Sequence, residues 1–117
     1  MSTTSSSNPI RHRFFVYAPD KTEDGTLARR LAVRERHLVG AKEGHESGFI
    51  RIGGMLTTPD AVTNPEAPRK MLGSTFIFEA ESIEEVKKSI EGDIYYTSGV
   101  WDPEKIVILP FFSAFPI

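Results

Sequence analysis

Residues 71–92 read MLGSTFIFEAESIEEVKKSIEG and contain a strand, a turn and a helix in succession. In residues 71–80, aromatic and aliphatic side chains alternate with polar ones, and this period of two predicts a β-strand. Ser82 followed by Glu85 forms a capping box, which predicts that a helix begins there. The apolar residues of this helix recur at helical spacing: Ile83, Val86 and Ile90. Gly92 is a favourable residue to end the helix.

Three more strands and one more helix are predicted outside this stretch. Residues 13–18 (RFFVYA) and 49–52 (FIRI) are rich in aromatic and β-branched residues, and residues 105–112 (KIVILPFF) form the last strand. Between the first two strands, Thr26 is the predicted N-cap of a helix that runs to about Glu46. The apolar stripe of this helix is spaced near a 3.6-residue period and should be buried: Leu27, Leu31, Leu38 and Ala41.

The resulting order, βαββαβ, predicts an α+β, ferredoxin-like fold in which two helices cover one face of a four-stranded antiparallel sheet. The first and last strands are apolar on consecutive residues, so we expect both at the centre of the sheet. The helices leave one face open, and a second copy of the chain would cover it. We therefore expect a homodimer of the dimeric α+β barrel type. The alternative is that the chain's own tail or the 58–70 loop folds over the open face.

Composition limits the function classes. The chain has 117 residues, a net charge of −2 and no cysteine. We expect a disordered tail over residues 1–10 and one domain over residues 11–117. The weak charge argues against nucleic acid and anionic membranes as partners, and no apolar run approaches the roughly 20 residues of a membrane span. A cytoplasmic location is favoured. The Ser/Thr-rich start with Arg11 and Arg13 leaves a mitochondrial location as the alternative.

Two short segments, RERHL at residues 34–38 and GDIY at residues 92–95, are the candidates for chemistry. His37 lies on the first predicted helix beside its apolar stripe, and Asp93 follows the second predicted helix. If the fold joins them, Asp93 fixes the tautomer of the imidazole, and His37 can accept and return a proton near neutral pH. The alternatives are a structural histidine and an aspartate that ends its helix or bonds local amides.

Further residues are predicted to bind the substrate. Arg34 lies one turn before His37 and could hold a carboxylate, or it could form a salt bridge to a nearby glutamate. Ser74 could donate a hydrogen bond into the pocket, or it could cap the strand edge. Aromatic side chains could wall the pocket or pack in the core: Tyr17, Tyr95 and Trp101. Three scattered histidines, no cysteine and no phosphate-binding glycine loop predict neither a metal site nor a cofactor.

Residues 32–38 (AVRERHL), 72–82 (LGSTFIFEAES) and 93–101 (DIYYTSGVW) occur in this order in the chain. Together they resemble the YCII-related (YciI-like) family of small, dimeric, ferredoxin-like proteins. The first segment is similar to the family's helix motif, in which an arginine lies three residues before a histidine. The second is similar to its third strand, and the third to its Asp-Pro-Tyr segment that continues to Gly-Val-Tyr. The resemblance extends over roughly residues 12–112.

The resemblance implies that His37 and Asp93 form the active centre, with Ile94 where the family has proline. It also implies a small cyclic or aromatic substrate, because some relatives act on such catabolites. We therefore expect a cofactor-independent enzyme of the isomerase or lyase type, since one proton shuttle needs neither a nucleophile nor a metal. The alternatives are a small-molecule-binding homodimer that uses the dyad as a polar anchor, and a structural assembly partner.

Overall fold

The computed structural model describes residues 9–67 and 69–117, so the greater part of the predicted tail lies outside the described residues. Four strands form one antiparallel sheet: β1 (His12–Pro19), β2 (Ile50–Thr57), β3 (Met71–Ala80) and β4 (Val107–Pro110). Two long helices, α1 (Thr26–Glu46) and α3 (Ile83–Gly92), accompany the single-turn helices α2 (Asp60–Thr63) and α4 (Ile94–Thr97). The predicted α+β, βαββαβ architecture is confirmed.

The hydrophobic core lies between one face of the sheet and the two long helices. The strand register places Phe14 opposite Phe78 and Val16 opposite Phe76, so these four side chains share one face. All four are buried in one cluster with residues of both helices: Val33, Val86 and Ile90. Both helices therefore cover the same face of the sheet, as predicted. In the described part of the chain, no helix has the length and apolarity that a membrane crossing needs.

The order of the strands corrects one prediction. The sheet runs β2-β3-β1-β4, so β1 is central as expected, whereas β4 is an edge strand and β3 occupies the second central position. β3 pairs with β1 from His12 to Pro19, whereas β4 pairs with it only from Phe14 to Tyr17. The apolar run of β4 does not indicate a central place, because Val107 and Leu109 lie exposed on the face that the helices do not cover.

Helix α1 corrects a second prediction. Leu27, Leu31 and Leu38 are between 43 and 52% exposed, so these three residues of the predicted apolar stripe do not face the core. The fourth residue, Ala41, is partly buried against the core. The buried face is the one that carries Thr26, Arg30, Val33 and His37, whose spacing of four, three and four residues is equally helical. Polar side chains are tolerated on this face because they find partners inside the protein. The N-cap is Gly25, at a φ of 87°, rather than Thr26.

The turn from β3 into α3 forms as the sequence indicates. Glu85 N–H donates to Ser82 Oγ at 3.2 Å, and Glu85 Oε1 accepts from Glu81 N–H at 3.0 Å. These bonds satisfy two backbone donors at the start of α3. The helix ends at Gly92, so Asp93 begins the next segment. The capping box therefore fixes where α3 starts.

Strand β2 is longer than predicted and passes through Gly53 and Gly54. The pairing with β3 shifts register between Ile50 and Ile52, so the strand is irregular just before these glycines. A Cβ atom at Gly53 would lie 3.2 Å from Phe76 Cδ1, which is a tight contact. The strand therefore has a register irregularity and a close approach of its backbone to Phe76 at this point. The predicted loop at residues 58–70 contains the single-turn helix α2.

Candidate active site

His37 and Asp93, which are 56 residues apart in the sequence, are in direct contact. His37 Nδ1 lies 2.9 Å from Asp93 Oδ1 and 3.0 Å from Oδ2. An ionised carboxylate only accepts hydrogen bonds, so Nδ1 carries a proton and the neutral ring keeps its lone pair on Nε2. No hydrogen bond to Nε2 is present among the described residues. The structure thus brings together the two residues predicted to form the dyad.

Two hydrogen bonds to the backbone hold Asp93 in place, one from its own N–H and one to its carboxylate. Asp93 ends α3, where its N–H donates to Ile90 O at 3.2 Å. It also begins α4, where Oδ1 accepts from Tyr95 N–H at 2.8 Å. Ile94 occupies the first position of α4, a position at which proline is also favoured. The presence of Ile94 instead of the family's proline therefore leaves this cap and the direction of the carboxylate intact.

The buried ring of Tyr95 packs against the imidazole of His37. The two ring centroids are 3.9 Å apart and the planes are inclined by 15°. The guanidinium carbon of Arg30 lies 4.5 Å from the centroid of the same tyrosine ring, within range of a cation–π interaction. Burial raises the pKa of the Tyr95 phenol above its ordinary value of 10.0. Tyr95 therefore orients the imidazole while its own hydroxyl stays protonated at neutral pH.

Arg30 is at the centre of a buried polar network that sequence reasoning missed. Its Nη1 donates to Asp20 Oδ1 at 2.7 Å, and its Nη2 donates to Ser74 Oγ at 3.1 Å. Trp101 Nε1 donates to the same Ser74 Oγ at 3.2 Å. Burial raises the pKa of the Asp20 carboxyl, and the charge of Arg30 offsets this only in part. The network ties α1 to the ends of β1 and β3, beside Tyr95.

One signal in the sequence could have revealed this network. Arg30 lies seven residues before His37, about two helical turns, so both side chains point to the same face of α1. If that face is buried at His37, then Arg30 is buried as well and needs an anionic partner. Asp20, at the end of the first strand, is the acidic residue that provides it.

A pocket of about 730 Å³ lies between α1 and the neighbouring strands β2 and β3. It is lined by four of the six predicted site residues: Arg34, His37, Ser74 and Tyr95. Asp93 is not part of the lining but contacts His37. The described residues that line the pocket include Lys42 and no aspartate or glutamate. Within the described chain, Arg34 forms no salt bridge, so the predicted alternative of an ion pair to a nearby glutamate is not observed.

The remaining predicted site residue, Tyr17, is not at this pocket. Its register partners are Thr75 and Val107, whereas Ser74 and Phe76, which line the pocket, pair with other residues of β1. Side chains alternate along a strand, so Tyr17 lies on the face of the sheet opposite to the helices, where it is 37% exposed. The prediction that Tyr17 binds the substrate in this pocket is therefore not part of our proposal.

Trp101 and the other two histidines form further contacts, and His45 also lines the pocket. Trp101 is fully buried and packs edge-on against Tyr95, at 5.6 Å between centroids. His45 Nδ1 donates to Ile50 O at 3.1 Å, and His12 lies exposed at the start of β1. Within residues 9–67 and 69–117, no three histidine, cysteine, aspartate or glutamate side chains are grouped so that they could hold a metal ion.

Comparison with solved structures identifies a relative of the same fold. The 5-chloro-2-hydroxyhydroquinone dehydrochlorinase from Burkholderia phenoliruptrix, in complex with 2,5-dihydroxybenzoquinone, matches with a TM-score of 0.69 at 23% sequence identity. The match covers 86% of this chain and 93% of the dehydrochlorinase chain. At this level of identity the match establishes the shared ferredoxin-like fold.

Comparison with known sequences gives the family. Protein YciI of Escherichia coli O6:H1 is 31% identical over 102 residues, which are 87% of this chain and 98% of that protein. Fusaric acid biosynthesis protein 2 of Gibberella fujikuroi is 30% identical over 100 residues, or 86% of this chain and 92% of that protein. The YCII-related domain matches residues 13–111, nearly the whole of the described chain. The protein therefore belongs to the YCII-related domain family.

Proposed function

We propose that this protein is a small enzyme in which His37 and Asp93 carry out general acid–base catalysis of the isomerase or lyase type. The observation that supports this most directly is the contact of His37 Nδ1 with both carboxylate oxygens of Asp93, at 2.9 and 3.0 Å. Asp93 holds the tautomer in which Nε2 has the free lone pair, and it stabilises the imidazolium that forms when Nε2 takes a proton.

In the catalytic cycle that we propose, the imidazole of His37 acts twice, first as a proton acceptor and then as a proton donor. Nε2 of His37 removes a proton from a carbon of the bound substrate, and the imidazolium then returns a proton at a second position or assists the departure of a leaving group. The first course is an isomerisation and the second is an elimination. Neither course needs a nucleophile from the protein, and the stacked ring of Tyr95 keeps the imidazole in one plane during both transfers.

We propose a small cyclic or aromatic substrate with a negative charge. The volume of the pocket, about 730 Å³, is within the usual range of roughly 300–1,000 Å³ for small-molecule sites. Phe76 and Tyr95 offer aromatic surfaces, and Arg34 and Lys42 offer positive charge at the same pocket. The names of the two relatives that mention a small molecule, fusaric acid and a chlorinated hydroxyhydroquinone, agree with a cyclic substrate.

Proton exchange with solvent tests the catalytic proposal. Small cyclic acids that raise the melting temperature would be incubated with the protein in D₂O, and NMR would follow the loss of their carbon-bound protons. His37→Ala should slow this exchange by about 10²- to 10⁴-fold. His12→Ala, which changes an exposed histidine of β1, should exchange at the wild-type rate. Ligands that come back without exchange or conversion would favour the alternative, a non-catalytic binding protein.

We further propose a homodimer that forms through the face of the sheet opposite to the helices. Apolar side chains that are exposed in the single chain are concentrated on this face: Tyr17, Ile52, Val107 and Leu109. Sedimentation velocity should give twice the monomer mass for the wild type and the monomer mass for Leu109→Lys. A monomeric wild type would contradict the proposal. We also propose that the protein is located in the cytoplasm, as predicted, and cell fractionation tests this.

A further inference from the structure

The hydroxyl of Ser74 has a proton with no acceptor in the described structure. Ser74 Oγ accepts one hydrogen bond from Arg30 Nη2 and one from Trp101 Nε1, and both of these groups are donors only. A hydroxyl has two lone pairs and one proton, so these two bonds use its accepting capacity. Ser74 is 2% exposed, and no described residue accepts its proton. Buried hydroxyl protons normally have a hydrogen-bond acceptor, and the proton of Ser74 is an exception within the described residues.

Arg30 has a second unused donor. Its Nη1 and Nη2 atoms bond Asp20 and Ser74, whereas its Nε–H is buried without a hydrogen-bond partner among the described residues. Arg30 is 3% exposed, and leaving a buried donor of a charged group unpaired is unfavourable. The pairing with Asp20 explains how the charge is tolerated but does not satisfy Nε. An acceptor is therefore missing beside Arg30 as well as beside Ser74.

Both unpaired donors belong to side chains that line the same pocket as His37. We propose that Ser74 Oγ–H and Arg30 Nε–H form a subsite for a negatively charged oxygen of the substrate, such as an enolate or phenolate oxygen. This inference rests on the proposed function and adds to it the group that stabilises the developing charge. The substrate class is thereby narrowed to ring compounds that carry a carbonyl or hydroxyl oxygen conjugated with the carbon that loses the proton.

The proton and electron balance of the reaction is complete with these groups. His37 Nε2 takes the proton of the C–H bond, and the electron pair of that bond forms a carbon–carbon double bond while the carbonyl π electrons move to the oxygen. The resulting enolate oxygen accepts hydrogen bonds from Ser74 and Arg30. The electron pair then returns from the oxygen. In an isomerisation the imidazolium protonates another carbon of the ring system. In an elimination the leaving group departs with its bonding electrons and takes the proton of the imidazolium.

Binding of 4-nitrophenol tests the subsite without knowledge of the substrate. The ionised and neutral forms of this probe have different absorption spectra, so a pH titration gives the affinity of the pocket for each form. We expect the wild type to bind the phenolate at least about tenfold more tightly than the phenol, since a charge-assisted hydrogen bond favours the ionised form. A wild type with no preference for the phenolate, or no binding of the probe, would overturn the proposal.

Ser74→Ala should lower the preference for the phenolate by about ten- to a hundredfold. The matched control is Thr75→Ala, which removes the adjacent hydroxyl of β3, whose hydrogen bond goes to Val16 O at 3.0 Å. This control should keep the wild-type preference. Should Ser74→Ala fail to fold, Arg30→Lys keeps a positive charge opposite Asp20 and removes Nε–H, and it should also lower the preference. If either variant folds and binds both forms as the wild type does, the two-donor subsite is wrong.

The two proposals fail in different ways. If solvent exchange depends on His37 but Ser74→Ala keeps the phenolate preference, the oxygen subsite is wrong and the acid–base function stands. If Ser74→Ala loses the preference but His37→Ala exchanges protons as the wild type does, the subsite stands and His37 is not the base. Circular dichroism and thermal melting of each variant, together with the Thr75→Ala control, separate loss of the subsite from loss of the fold.

Discussion

Helix α1 contributes one side chain to each of two polar pairs, and the pairs differ in how exposed their carboxylates are. Arg30 bonds Asp20 at 2.7 Å, and His37 bonds Asp93 at 2.9 Å. Both carboxylates lie at the end of an element, and both α1 side chains contact the ring of Tyr95. In the first pair both side chains are buried, whereas in the second the carboxylate is partly exposed.

The difference teaches how one helix face can serve both structure and chemistry. Arginine is permanently charged, so the buried pair with Asp20 cannot exchange a proton through Arg30 in ordinary conditions. Histidine gains and loses a proton near neutral pH, and Asp93 engages only one of its two nitrogens. Arg30 and His37 both line the pocket. We infer that the Arg30 pair fixes the position of Tyr95 and contributes to the proposed oxygen subsite, and that the His37 pair carries out the proton transfer.

The largest expected effect comes from breaking the buried pair. Arg30→Met would leave Asp20 buried without a cation and Ser74 without one of its donors. We expect the free energy of unfolding to fall by about 3–5 kcal/mol, the usual result of removing one partner of a buried ion pair. Urea unfolding measures this.

Arg34→Met is the matched control for that experiment, because Arg34 lies one turn further along α1, is exposed and forms no ion pair in the described structure. It should change the free energy of unfolding by no more than about 0.5 kcal/mol. Equal losses in the two variants would contradict the structural role that we assign to the buried pair.

The second largest effect is expected from a change in the tautomer of His37, which Asp93 controls. Asp93→Asn keeps an oxygen that can cap Tyr95 N–H but can also present an amide donor to His37 Nδ1. The lone pair would then lie on Nδ1 and the proton on Nε2, so the base would be lost from the pocket. We expect exchange of substrate protons to slow by about a hundredfold or more.

Nitrogen NMR of the imidazole distinguishes the tautomers directly in that variant. Asp102→Asn is the control, because the polar contacts of the Asp102 side chain are local: Oδ1 accepts from Glu104 N–H at 3.1 Å, and Oδ2 lies 3.9 Å from Lys105 Nζ. It should leave both the tautomer of His37 and the exchange rate unchanged. An Asp93→Asn protein with the wild-type tautomer and rate would show that Asp93 does not orient the base.

Local patterns in the sequence predicted the elements well and their surroundings less well. The capping box at Ser82 and Glu85 is a contact between near neighbours, so its residues alone are sufficient to place the start of α3. The choice between an edge and a central position for β4 depends on whether a second strand pairs with its other side, and the residues of β4 alone do not encode this. The face on which Tyr17 lies depends in the same way on register.

The buried face of α1 shows why Arg30 and its partner Asp20 were missed. Leucine spacing predicted the wrong face, because the pattern counts apolar residues and cannot count the partners that make a buried Arg30 acceptable. His37 was identified because its family context is recognisable in a short segment. Arg30 depends on Asp20 and Ser74, which are distant in the sequence and come together only in the fold.

The smallest expected effect is a pH dependence of stability that comes from Asp20 in the buried pair. Burial raises the pKa of Asp20 above its ordinary value of 3.8, and Arg30 only partly opposes this. The folded protein therefore keeps the Asp20 proton to a higher pH than the unfolded chain does. Between the two pKa values the folded state binds more protons, so the contribution of Asp20 to stability falls as the pH rises, by at most about 1.4 kcal/mol per pH unit.

Asp20→Asn isolates this contribution, because the amide does not titrate but its oxygen can still accept from Arg30. Urea unfolding at several pH values above 3.8 should give a free energy that falls more steeply with pH for the wild type than for Asp20→Asn. A wild type that instead gains stability relative to the variant over this range would mean that the charge of Arg30 outweighs burial. The Arg30 pair would then stabilise the ionised carboxylate of Asp20.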